Sequence, residues 1–286
     1  MKYLHIDVQP ISGALGAEIH GIDIAKEISN DEVKKEVRSA FLEHGVVFFR
    51  DQKLTPEQHI EFGKWFGPLN RHPVLAPLEG YPDILVIAKE KEERTNIGNA
   101  WHSDVTFLER PALGSILYAR EVPPFGGDTM FASMYLAYEH LSEGMKDVLD
   151  RLVAIHSGTR AYGTKETVAE RFDAKNKGMK AIVSDALEAF SEHPVVRTHP
   201  ETGRKALFVN KGFTTHFKGM TRKESKPILE FLYNHASMPE YTCRFRWAKN
   251  SIAFWDNRCV HHYAINDYHG HQRLMHRVTI EGDRPY

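Results

Sequence analysis

Apolar residues along this chain follow two rhythms. Four stretches carry helical spacing. Ser29-Asn30 opens the first, with Val33, Val37, Ala40, Phe41 and His44 on one face and Gly45 at the stop position. Thr55-Pro56-Glu57-Gln58 is a capping box with proline at the first helical position, ahead of Ile60 and Trp65. Ser142 starts a third stretch through Met145, Val148, Leu149 and Leu152. The box formed by Thr221 and Glu224 starts a fourth through Ile228, Leu229 and Leu232. Elsewhere strand patterns dominate. Val46-Val47-Phe48-Phe49 reads as a buried strand, and residues 194–198 and 206–210 flank Pro200-Glu201-Thr202-Gly203 as a hairpin. Residues 251–255 and 277–280 read as two late strands. Between Gly158 and His193 the chain is charged and helix-prone at 164–173, which predicts a helical insertion at about 159–192. Many short strands with a few peripheral helices predict a mainly β fold, a double-stranded β-helix or cupin-like jelly roll, as one domain over 1–286.

Composition narrows the partners. The 286 residues are 42% hydrophobic and 26% charged with a formal net charge of −1, so no global field favours nucleic acid or an anionic membrane. An anion must be recognised by individually placed cations. Two cysteines, Cys243 and Cys259, are too few for a disulfide framework, and the first residues lack the apolar core of a signal peptide. A cytoplasmic location is expected. No segment is apolar for long enough to span a bilayer as a helix.

The chemistry concentrates in Trp101-His102-Ser103-Asp104-Val105-Thr106-Phe107, a run of β-formers. On a strand His102 and Asp104 project to one side, as two-thirds of the 2-His-1-carboxylate triad that holds non-heme iron(II). With 17 histidines in the chain, most are structural, and the third ligand has to come from a remote segment. His261 and His262 are adjacent, and a strand turns only one of them toward a metal. Arg273 and Arg277 are four apart in a β-like run and share a face with Met275. A buried arginine calls for an anion, and its planar fork suits a carboxylate; exposed on a barrel rim, the same pair would merely meet Asp or Glu.

These residues resemble the taurine catabolism dioxygenase family, Fe(II)/2-oxoglutarate oxygenases that include phenoxyacetate dioxygenases and alkylsulfatases. The resemblance is carried by Asn99-Ala100-Trp101-His102-Ser103-Asp104-Val105-Thr106-Phe107, Phe125-Gly126-Gly127-Asp128-Thr129, Trp255-Asp256-Asn257-Arg258, His262-Tyr263-Ala264 and Arg273-Leu274-Met275-His276-Arg277. It implies that His102, Asp104 and His262 ligate iron, with His261 the runner-up for the last position. It also implies that Arg273 and Thr129 bind the far carboxylate of 2-oxoglutarate, and that O2 is the oxidant. Arg277 and His72 match contacts to an anionic substrate head, Val105 lies beside them, and Phe213 matches a pocket-wall aromatic. Tyr162 is a weaker match to a second wall position. Leu75 and Gly98 stand where taurine enzymes carry Tyr and Asn, so the pocket is expected to be roomier and more apolar than taurine needs.

The resemblance implies hydroxylation of a small organic anion next to its heteroatom. A taurine-like sulfonate, releasing sulfite and an aldehyde, is the leading expectation, with an alkyl sulfate ester or aryloxyalkanoate as alternatives. A homo-oligomer, dimer or tetramer, is the implied assembly. Residues 75–99 and 158–193 are candidate lids. A zinc-dependent hydrolase would use the same His/Asp set, but it lacks a His-Glu-x-x-His helix and leaves the two arginines and Thr129 without a task.

Overall fold

A computed structural model describes residues 3–175 and 178–286. The chain runs through β1 (Asp7–Pro10), β2 (Ala17–His20), α1 (Asp31–His44), β3 (Val46–Phe49), α2 (Pro56–Lys64), β4 (Pro77–Leu78), β5 (Tyr81–Lys89) and β6 (Gly114–Glu121). It continues with β7 (Thr129–Ser133), α3 (Met134–Glu139), α4 (Glu143–Leu149), β8 (Val153–Ser157), α5 (Gly158–Tyr162), α6 (Lys165–Lys175) and β9 (Phe190–Pro194). The last elements are β10 (Val196–Thr198), β11 (Lys205–Leu207), β12 (Thr214–Phe217), α7 (Arg222–Ala236), β13 (Thr242–Phe245), β14 (Ile252–Asp256), β15 (Val260–Ala264) and β16 (Arg273–Ile280).

The major sheet has eight strands in the order β1-β2-β3-β14-β6-β16-β5-β4. Facing it are the three-stranded sheets β13-β7-β15 and β12-β8-β9. These non-sequential neighbours mark the jelly roll, and its sheets are not closed into a barrel. Alternation along β14 and β6 splits the apolar residues between two layers. Ile252, Phe254, Ile116 and Tyr118 face outward under α1 and α2, where Phe41 stacks on Phe254 with ring centroids 4.0 Å apart. Ala253, Trp255, Leu117 and Ala119 face inward, against Phe131 and Val260 of the opposite sheet.

The helices start where their caps sit. Asn30 accepts from Glu32 and Val33 backbone N–H groups, and Gly45 closes α1 at φ 71°. Thr55 and Gln58 form a full capping box, as do Thr221 and Glu224.

Three expectations are corrected. Residues 101–107 are not a strand: His102 makes a single bridge to His262, and the chain then turns through Val105 at φ 46°. Residues 75–99 are not simply a lid, because β5 pairs with β16 from Ile84 to Lys89 and forms sheet wall. The insertion leaves β8 at Gly158 and ends sooner than 192, because β9 returns to pair with β8 from residue 190. Its Val168, Phe172 and Leu187 pack with Val74, Leu75 and Phe213 as a third apolar cluster over one end of the roll.

Candidate active site

The site is assembled from strand ends and the turns beside them. At the His102–His262 bridge each backbone N–H donates to the other residue's carbonyl, at 3.1 and 2.8 Å, which sets the two imidazoles 4.1 Å apart between ring centroids. Nδ1 of His102 donates to the Ala100 carbonyl at 2.7 Å, so Nε2 presents its lone pair. Asp104 Oδ1 lies 3.8 Å from Nε2 of both His102 and His262. One donor atom from each residue therefore lies within 4.8 Å of the other two, the spacing of donors around a single ion. His261 is buried on the other side of β15, beside Trp101 and Asn210.

Asp104 is held from every side. Asn257 accepts from the Asp104 backbone N–H at 2.6 Å, and its amide donates to the carbonyls of Asp104 (3.0 Å) and Ala112 (3.1 Å). Ser115 donates to Oδ2 at 2.9 Å and Arg277 Nη1 to Oδ1 at 3.0 Å. Burial works against the charged carboxylate, but the Arg277 guanidinium and the Ser115 hydroxyl beside it outweigh it and hold Asp104 well below the ordinary carboxylate range. Burial keeps His102 and His262 neutral, which is the form that ligates a metal.

Across the cavity lies Arg273, only 6% exposed, with Nε and Nη2 lacking any hydrogen-bond partner among the described residues. Burial depresses its pKa. Trp247 donates its indole N–H to Thr129 Oγ1 at 3.0 Å, which leaves the Thr129 hydroxyl proton free to be given. Thr129, Arg273 and Arg277 line one cavity with His102, Asp104 and His262. Two nitrogens and a carboxylate oxygen suit iron(II), and a buried cation without a counter-ion suits the free end of a chelating dicarboxylate.

His72 and Tyr162 line the same cavity. Nδ1 of His72 accepts from the backbone of Val74 and Leu75, at 3.2 and 3.1 Å, so Nε2 carries the proton; it stands 3.3 Å from the Tyr162 hydroxyl. Burial, with Arg277 alongside, pushes His72 down to about 3. Phe213 stands at the mouth, its ring 6.4 Å from that of His102. Val105 departs from expectation. It packs in the apolar cluster with Phe107 and Phe213 rather than lining the cavity, and its left-handed backbone aims Asp104. Leu75, Leu85, Ile87, Ile97 and Met179 form the apolar wall. Gly98 sits at φ 86°, where a Cβ would come 3.4 Å from His102 Cε1, so glycine keeps this edge of the cavity clear.

His199, Asp256 and Cys259 also cluster within 4.8 Å. There Arg258 and His199 occupy both carboxylate oxygens of Asp256, and Arg258 continues to Glu201, so this group is a polar lock behind the site. Sequence reasoning gave no role to Ser115, Trp247 or Asn257, although Asn257 lay within a quoted motif.

A jelly roll with a His/Asp/His cluster and a buried arginine facing it defines an oxygenase-type metal centre. The family model for the taurine catabolism dioxygenase TauD, TfdA family matches residues 7–279, and the chain belongs to that family, whose chemistry uses iron(II), 2-oxoglutarate and O2. It is 35% identical over 279 residues to an alkylsulfatase of Acinetobacter baylyi, covering 97% of this chain and 86% of that protein. It is 34% identical over 283 residues to an alpha-ketoglutarate-dependent sulfate ester dioxygenase of Pseudomonas putida, covering 99% and 91%. Its fold superposes on the crystal structure of a taurine dioxygenase from Burkholderia xenovorans with a TM-score of 0.81 at 36% identity, covering 99% and 91%.

Proposed function

We propose that this protein is a 2-oxoglutarate-dependent dioxygenase, one catalytic domain over 1–286, acting on an organic sulfur oxyanion with an apolar chain, with alkyl sulfate esters ahead of small sulfonates. The observation that carries the reading is Arg273, a buried guanidinium whose Nε and Nη2 have no hydrogen-bond partner among the described residues, opening onto the cavity of the His102/Asp104/His262 cluster. The choice of substrate rests on the apolar wall and on Leu75, which provide no polar contact for an amine such as taurine's.

In this reading His102, Asp104 and His262 hold iron(II), and Arg273 with Thr129 takes the far carboxylate of 2-oxoglutarate. Together with O2, that pair supplies the oxidising chemistry, which yields succinate, CO2 and a hydroxyl on the substrate carbon. The protein's own task is aim and exclusion of water. His72 donates through Nε2–H, and Arg277 through its unpartnered Nε, to the sulfate head, so that the carbon beside the ester oxygen faces the metal. Asn257 and Ser115 keep the Asp104 carboxylate in place. The apolar cluster of Val168, Phe172 and Leu187 covers the site from the insertion. Once that carbon bears a hydroxyl, loss of the hydroxyl proton forms an aldehyde and the C–O bond electrons leave with sulfate.

The test is succinate release from iron-loaded enzyme with alkyl sulfates, alkyl sulfonates and aryloxy acids, following sulfate and sulfite in parallel. Turnover of alkyl sulfates with sulfate release is expected. Turnover confined to taurine or to aryloxy acids would overturn the substrate reading, and 2-oxoglutarate-independent hydrolysis would overturn the class.

A further inference from the structure

The inner cavity adjoins a second one at Tyr162. It shares Ile97, Gly98, His102 and Tyr162 with an outer chamber of about 640 Å³, room for a ligand far longer than a two-carbon chain. Beside the metal cluster its walls are Ala161, Phe172 and Phe213. At its exposed rim stand two cations, Arg160 and Lys211, and among the described residues no carboxylate lines it. Arg160 Nε donates to the Lys211 carbonyl at 3.0 Å, which pins the two together at the rim. Neither side chain makes an ion pair among the described residues. In a protein of net charge −1, these two neighbouring cations stand together beside the cavity that leads from the metal cluster.

We propose that Arg160 and Lys211 form a second anion subsite, which selects substrates carrying a negative group at the end of the chain remote from the reacting carbon. The substrate class is an ω-anionic alkyl sulfur oxyanion: head group at His72 and Arg277, apolar chain past Tyr162 and Phe213, distal carboxylate or second sulfo group at the rim. This rests on the dioxygenase reading above. Both cations are exposed, so each contributes as a surface ion pair does, about two- to fivefold in KM, and salt weakens the effect.

The experiment compares unbranched alkyl sulfates with their ω-carboxy counterparts of equal length; the sulfonate pair replaces them if the succinate screen selects that head group. Wild-type enzyme should show a lower KM for the ω-carboxy member. Lys211→Gln should lose part of that preference, and R160Q/K211Q or high salt nearly all of it. Lys211→Gln also guards against a folding defect, since only the Lys211 main chain is held by Arg160. Plain alkyl substrates turned over with no ω-carboxy preference, or a preference intact in the double variant, would overturn the subsite alone. No turnover of either series with any head group would overturn the dioxygenase reading itself.

Discussion

Arg273→Met is the most informative single perturbation. The wild-type guanidinium is buried, and its Nε and Nη2 have no hydrogen-bond partner among the described residues. A dicarboxylate seated there gains two charge-assisted hydrogen bonds, about 1.5–3 kcal/mol each. Removing both costs about 3–6 kcal/mol, or two to four orders of magnitude in 2-oxoglutarate affinity, since about 1.4 kcal/mol is tenfold. The same substitution removes an uncompensated buried charge, so the cosubstrate-free variant should be at least as stable as wild type. The assay is the thermal midpoint under anaerobic Mn(II) with increasing 2-oxoglutarate. Wild type should gain about 2.7 kcal/mol at a hundredfold excess over its Kd, while the variant gains almost nothing at that concentration. Thr129→Val, which deletes one neutral donor, should fall between, at about two- to tenfold weaker binding. An Arg273→Met protein that binds 2-oxoglutarate within tenfold of wild type would refute the assignment of the cation. A variant that unfolds without ligand would refute the claim that Arg273 lacks a counter-ion.

Asn257→Ala should weaken divalent metal binding about 10- to 100-fold, because the clamp on the Asp104 backbone is lost; metal titration against wild type checks it. The same variant should also melt earlier, since at least one buried main-chain group loses its partner at about 1–3 kcal/mol. His59 is 1% exposed, and burial pushes its pKa to about 3, below the ordinary value of about 6.5. The unfolded chain thus takes up a proton that the folded chain refuses, and stability is lost as pH falls below about 6.5, at about 1.4 kcal/mol per unit from this residue. Urea midpoints from pH 7 to 5 should therefore fall less steeply in His59→Gln than in wild type; equal slopes would contradict the burial.

Local signals were legible where local physics decides. Asn30, Thr55 and Thr221 cap their helices through bonds two or three residues away, so their patterns predict the observed starts. The inward face shared by Arg273 and Arg277 follows from alternation along β16, and both are buried. The run 101–107 misled for the opposite reason. Its β-branched and aromatic residues favour a strand, but Asn257, 153 positions away, seizes the Asp104 backbone, and Val105 takes a left-handed turn that its own preference opposes. β5 was obscured because its inner face borders the cavity and is only partly buried, which blurs the alternation that marks a strand. Trp247 and Ser115 have no motif of their own; each is polar support whose importance exists only once distant strands are paired.

The Asp104–Arg277 contact joins positions 173 apart, and His102 meets its bridge partner only in β15. The centre is therefore a late event in the life of each molecule. A nascent chain that has completed β1 through β14 already holds most of its apolar core, yet has neither the second imidazole nor either arginine. Such a chain also lacks β16, the strand between β6 and β5, so the major sheet and the proposed ligand set are completed by the same last segment. In the proposed reading, oxidising capacity therefore arrives together with the last wall of the scaffold that must contain it, and a chain cut before β15 has no complete ligand set.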